Sequence, residues 1–88
     1  MQILVVCRPV PGIDQSEFRR LVSAESAALR ELKERGVLKD AWTPGRPGAV
    51  LMLTADTEDE ATAIAATLPL AAAGLITAEV IPLHPMNL

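Results

Sequence analysis

Residues 37–54 read VLKDAWTPGRPGAVLMLT, and this segment decides the fold. Val37–Thr43 has the apolar and aromatic content of a strand, Pro44-Gly45-Arg46-Pro47-Gly48 is a tight connection, and Ala49–Thr54 is a second strand. Just upstream, Gly36 supplies the left-handed residue that ends a helix. That helix opens at Asp14, which with Glu17 has the spacing of a capping box, and runs to about Arg35. Ahead of it, residues 2–8 (QILVVCR) form a strand stopped by Pro9, Pro11 and Gly12. Downstream, Thr57 and Glu60 open a short helix to about Thr67, residues 68–74 form a loop, and Leu75–Leu83 is the last strand. A hairpin set between two helices makes the order βαββαβ, the split βαβ unit of ferredoxin-like folds. The expectation is one α+β domain over residues 1–88: a four-stranded antiparallel sheet with two helices on one face.

Composition narrows the function classes. Half of the 88 residues are hydrophobic, yet there is one Phe, one Trp and no Tyr. Ala, Leu and Val fill such a core, and small side chains leave pockets. A single Cys excludes an internal disulfide and a Cys-rich zinc site, and His84 has no second His with which to share a metal. There is no P-loop, no GxSxG, and no GxGxxG after a strand. No metal or cofactor is expected. A net charge of −3 without a basic block argues against nucleic acid and against an anionic membrane. The longest weakly polar stretch, Leu68–Ile76, falls far short of the roughly 20 residues that span a bilayer. The first residues lack the basic flank and cleavage site of a signal peptide. A cytoplasmic protein is the expectation.

The strands carry a consequence for assembly. A sheet with helices on one face normally alternates apolar with polar residues, so that its other face is wet. Here the first strand offers Ile3, Val5 and Cys7 on one side but Leu4 and Val6 on the other. The third offers Ala49, Leu51 and Leu53 against Val50 and Met52. Both faces are apolar, which predicts that the open face is covered by a second copy of the chain in a homodimer or larger homo-oligomer.

Glu25 is the residue with most to say about chemistry. At 100° per residue, Phe18, Leu21, Val22, Leu29 and Leu32 fall on one stripe of the first helix, and Glu25 sits near its middle. A carboxylate costs several kcal/mol to desolvate unless it is paired or protonated, and a carboxyl so placed suits a general acid or base. The bland alternative is a glutamate that reaches the helix edge or pairs with an arginine. His84, after the last strand, is the side chain that ordinarily titrates near neutral pH, and is either a surface or subunit-contact residue or a catalytic one. Arg8 at the end of the first strand, or Arg46 in the hairpin, has the geometry to hold a substrate carboxylate. Glu79 inside the last strand is an edge charge or faces a pocket, and Trp42 is a core, pocket-wall or interface residue. Cys7, within an apolar strand, reads as inert.

Several of these residues also carry a family resemblance. From Arg20 to Pro85 the chain resembles muconolactone isomerase, within the dimeric α+β-barrel superfamily. The matching text is RLVSAESAALRELKERG on the first helix, Trp42, Gly45-Arg46, the strand AVLML, Leu68-Pro69-Leu70, Ala78-Glu79-Val80 and His84-Pro85. The resemblance implies a cofactor-free isomerase that shifts a proton and a double bond in a small unsaturated lactone bearing a carboxymethyl arm. It implies sheets paired between subunits into barrels, in this family often gathered into a decameric ring. It matches Glu25 to a helix-1 glutamate, the natural proton shuttle, with Arg8 or Arg46 as carboxylate anchor and Trp42, Glu79 and His84 as further substrate-binding positions. The same scaffold also hosts cofactor-free oxygenases and cyclases acting on polyketide-like compounds, and a non-catalytic ligand-binding oligomer is the competing reading. This chain departs from the family pattern at Leu4 and Val6, where the family is polar, and at Val22 or Ser23, where it has a lysine. The loop AAAGL also lacks the family's bulky aromatic segment. The implied pocket is more apolar.

Overall fold

The computed structural model describes residues 1–88. In chain order it contains β1 (Gln2–Pro9), α1 (Gln15–Glu34), β2 (Leu38–Trp42), β3 (Ala49–Thr54), α2 (Glu58–Ala66), α3 (Pro69–Ala72) and β4 (Ile76–Leu83). The strands form one sheet in the order β2-β3-β1-β4, and every neighbouring pair is antiparallel. This is the expected ferredoxin-like α+β arrangement, with one element added. Pro69 begins a four-residue helix inside the segment expected to be a loop. Proline is favoured at the first position of a helix, where its missing N–H would have no partner, so Pro69 is here a start signal.

The register settles which side of the sheet meets the helices. Val5 lies opposite Leu51 on β3 and Val80 on β4, and Ile3 lies opposite Leu53. Ile3, Val5, Cys7, Leu51 and Leu53 are buried together with Leu32 of α1, Ala61 and Ala65 of α2, and Leu68 and Leu70 around α3. All three helices therefore cover one face. Each large apolar side chain buried there contributes about 1.5–3 kcal/mol. The other face carries Leu4, Val6, Val50, Met52 and Ile81, each partly buried, together with the exposed Trp42 and Leu83. The isolated chain leaves this apolar surface without a cover.

Local signals explain the helix limits. Asp14 caps α1 by accepting from the Ser16 backbone N–H at 2.9 Å. Hydrogen bonds from the Ser16 hydroxyl and then from its backbone N–H hold the Asp14 carboxyl below the usual carboxylate range. Glu17 does not close the expected box; its carboxylate pairs with Arg20. The second box is nearer to the pattern: the Thr57 hydroxyl accepts from the Glu60 N–H, but the Glu60 carboxylate accepts from the N–H of Asp56 rather than of Thr57. Gly36 follows α1 with φ +76°, as the C-terminal signal requires. No helix is long and apolar enough to cross a membrane.

Candidate active site

The stripe on α1 is only partly sealed against the sheet. Leu32, near its end, is buried, but Phe18, Leu21 and Leu29 are half-buried and Val22 is exposed. The gap is a cleft of about 330 Å³ between α1 and the end of β1, walled by Cys7, Pro9, Phe18, Leu51 and Leu70. A volume near 300 Å³ accommodates a small ligand. Glu25 projects from the α1 wall into it.

The surroundings of Glu25 are specific. Its Oε1 accepts a hydrogen bond from the backbone N–H of Leu70 at 3.0 Å. Its other oxygen accepts none, and no lysine or arginine pairs with it. Of the alternatives open from the sequence, pairing with an arginine is not the one found: the half-buried carboxylate lies on the cleft and accepts from a backbone amide. The Cys7 thiol lies on the same cleft. Burial, and then the negative charge of Glu25, push it up to about 11. An acid group raised in this way stays protonated at neutral pH, which makes Cys7 a weak nucleophile. Two hydroxyls that the sequence reading passed over, those of Ser26 and Thr43, also line the cleft and make no hydrogen bond within the protein. Ser26 follows Glu25 directly, and Thr43 follows β2 where the hairpin begins. No periodicity marks either one.

The two arginines differ. Arg8 lies on the open face of the sheet, where its guanidinium donates to Glu79 at 2.9 Å. The pair is diagonal across β1 and β4, since Val6 stands opposite Glu79, and both side chains are more than half exposed. Such a pair contributes about 0–1 kcal/mol. Arg46 has no carboxylate partner. It lines a second hollow of about 610 Å³ with Arg8, Gly12 and Gln15. Pro9 and Phe18 belong to both hollows, so the two adjoin. Trp42 sits on the open face, half exposed. His84 follows the far end of β4, where Leu83 pairs with Gln2, whereas the cleft is at the Ile76 end. With about 3.3 Å per strand residue, His84 lies roughly 25 Å along β4 from the cleft. Within one chain the fold brings Glu25, Ser26 and Thr43 onto one cleft, sets Arg46 on the adjoining hollow, and leaves Trp42, Glu79 and His84 elsewhere. No three His, Cys, Asp or Glu side chains cluster as a metal site would need.

The family model described as muconolactone delta-isomerase matches residues 5–87. The chain belongs to the muconolactone delta-isomerase family. Among solved structures, a muconolactone isomerase superposes with a TM-score of 0.77 at 18% identity, covering 99% of this chain and 92% of that one. The 5-chloro-2-hydroxyhydroquinone dehydrochlorinase TftG from Burkholderia phenoliruptrix AC1100, in complex with 2,5-dihydroxybenzoquinone, superposes with a TM-score of 0.74 at 22% identity. That match covers 96% of this chain and 94% of the dehydrochlorinase. At such identities the two structures establish the shared fold. No curated protein matches the chain.

Proposed function

We propose that this chain is a cofactor-free isomerase that moves a proton and a double bond in a small unsaturated lactone, with Glu25 as the shuttle. The observation that carries the proposal is the Glu25 carboxylate on an apolar cleft, with one oxygen held by Leu70 and the other without a partner. The lactone ring lies against Phe18 and Leu51. Glu25 removes an acidic ring C–H proton, and the electrons pass through the ring to the carbonyl oxygen, giving a dienolate. The Ser26 and Thr43 hydroxyls donate to that oxygen. Glu25 then returns the proton to the carbon alpha to the carbonyl, leaving the double bond moved and the base regenerated. The dehydrochlorination named for TftG also requires loss of a proton, so the fold is compatible with both outcomes.

The carboxymethyl arm of such a lactone needs a cation. Arg46 fills that role, because Arg8 is already neutralised by Glu79. Given muconolactone and followed by NMR, the protein is expected to form the isomerised enol-lactone. Arg46→Ala is expected to raise KM about 10–100-fold with kcat within about threefold, the size of a charge-assisted contact made equally in ground and transition states. Muconolactone that binds without turnover would favour a non-catalytic binding protein instead.

The open face belongs to the same proposal. Leu4, Val6, Val50 and Met52 pack against the equivalent face of a second copy, burying Trp42 and the Arg8–Glu79 pair at the subunit contact. Native mass spectrometry is expected to show at least two chains at micromolar concentration. A monomer there would contradict this part of the proposal.

A further inference from the structure

We infer that the backbone N–H of Leu70 is a positioning group for catalysis, fixing one oxygen of Glu25 so that the other meets the substrate; this rests on the isomerase reading. The start of α3 is unusual. Its N-cap residue is Leu68, which has no side-chain acceptor, and Pro69 has no N–H to satisfy. The Leu70 N–H is thus the first donor of the element, and a carboxylate 45 residues away accepts from it. An apolar cap leaves the donor free for that purpose, whereas a serine or aspartate at position 68 would compete for it.

The donor is held in place from both sides. Leu68 and Leu70 are buried. The Ala72 N–H donates to the Leu68 carbonyl at 2.8 Å, and the Leu75 N–H to the Leu70 carbonyl at 2.9 Å. α3 also packs on α1, which carries Glu25. A glutamate has three side-chain torsions to order, and a hydrogen bond from a fixed amide orders the last of them before substrate arrives.

A purely structural role is the competing account, in which Glu25 only caps α3. The two separate when the donor alone is removed. In the full-length protein, leucic acid at position 70 replaces the N–H by an ester oxygen and keeps the side chain. Lactic acid at position 72 removes the Ala72–Leu68 bond as a control within the same helix. With muconolactone, the Leu70 ester is expected to lower kcat about 10–100-fold with KM within about threefold, the effect of one charge-assisted hydrogen bond. The Ala72 ester is expected to leave kcat within about threefold. Equal effects of the two esters on kcat would overturn the positioning role.

A second reading does not depend on turnover. With 13C-carboxyl glutamate incorporated, the Glu25 carboxylate stretch, assigned by its absence from Glu25→Gln, is expected to shift in the Leu70 ester and not in the Ala72 ester. If it moves in neither, the contact does not exist in solution and the inference falls. A parent protein that does not turn muconolactone over overturns the isomerase reading and, with it, the catalytic role of Leu70. The carboxylate band then reports the contact alone.

Discussion

Glu25→Gln is expected to lower kcat for muconolactone isomerisation by about 10²–10⁴-fold, the usual worth of a positioned general base, with little change in KM. Glutamine is nearly the same shape and retains an oxygen that can accept from the Leu70 N–H, so the contact between α1 and α3 survives. What it lacks is the capacity to accept a proton and give it back. Thermal unfolding of the variant is therefore expected to stay close to that of the parent. Glu25→Ala is the informative contrast. It removes the acceptor as well as the base, leaves the Leu70 N–H unpaired in a part-buried site, and is expected to cost about 1–3 kcal/mol of stability beyond its loss of turnover. A Glu25→Gln protein with kcat within threefold of the parent would remove Glu25 from the mechanism. Steady-state kinetics beside a denaturation curve for each protein distinguishes these cases.

Gly48→Ala is expected to destabilise the fold by about 3–5 kcal/mol, a large share of the roughly 5–15 kcal/mol of a typical domain. Two effects combine. Gly48 has φ +128°, a conformation that side chains rarely adopt and that costs about 1–3 kcal/mol to hold. A methyl group on it would also overlap the Cys7 carbonyl oxygen, which is backbone and cannot turn aside. The site feels the same clash, because Gly48 and Cys7 both line the cleft that holds Glu25. Relief requires the hairpin to move away from β1 and widens that cleft. Gly36→Ala is the control. Gly36 has φ +76° but nothing within 4 Å of the added carbon, so backbone strain alone remains, about 1 kcal/mol. Urea unfolding is expected to show a much lower midpoint for Gly48→Ala than for Gly36→Ala, with similar slopes. Equal midpoints would mean that the hairpin does not press on β1 as described.

The fold was legible because its punctuation is strong. Asp14, Gly36 and Thr57 mark helix limits that the structure reproduces within a residue or two, and the hairpin around Pro44–Gly48 sets the strand order. Sheet polarity was not legible. Ile3, Val5 and Cys7 alternate with Leu4 and Val6, and a period of two carries no signal when both phases are apolar. The register supplies it, and with it the separation of the arginines: Arg8 falls beside Glu79 only because β1 and β4 pair with Val6 opposite Glu79. Glu25 stood out from its place on an apolar stripe, but its partner is a backbone amide, which leaves no mark in a sequence. The helix that presents this amide lies in residues 68–74, read from the sequence as a loop. Ser26 and Thr43 are ordinary residues until the fold sets both on the cleft.

The central claim is that one carboxyl both removes and returns the proton. Muconolactone carrying deuterium at the ring carbon that is deprotonated, turned over in ordinary water, tests it most directly. A single shuttle in a half-enclosed cleft predicts that part of the label reappears at the carbon alpha to the carbonyl, with a primary isotope effect on kcat/KM, and that Glu25→Gln loses both. Isomerisation in which all the deuterium goes to solvent, at a rate that Glu25→Gln leaves unchanged, would contradict the account.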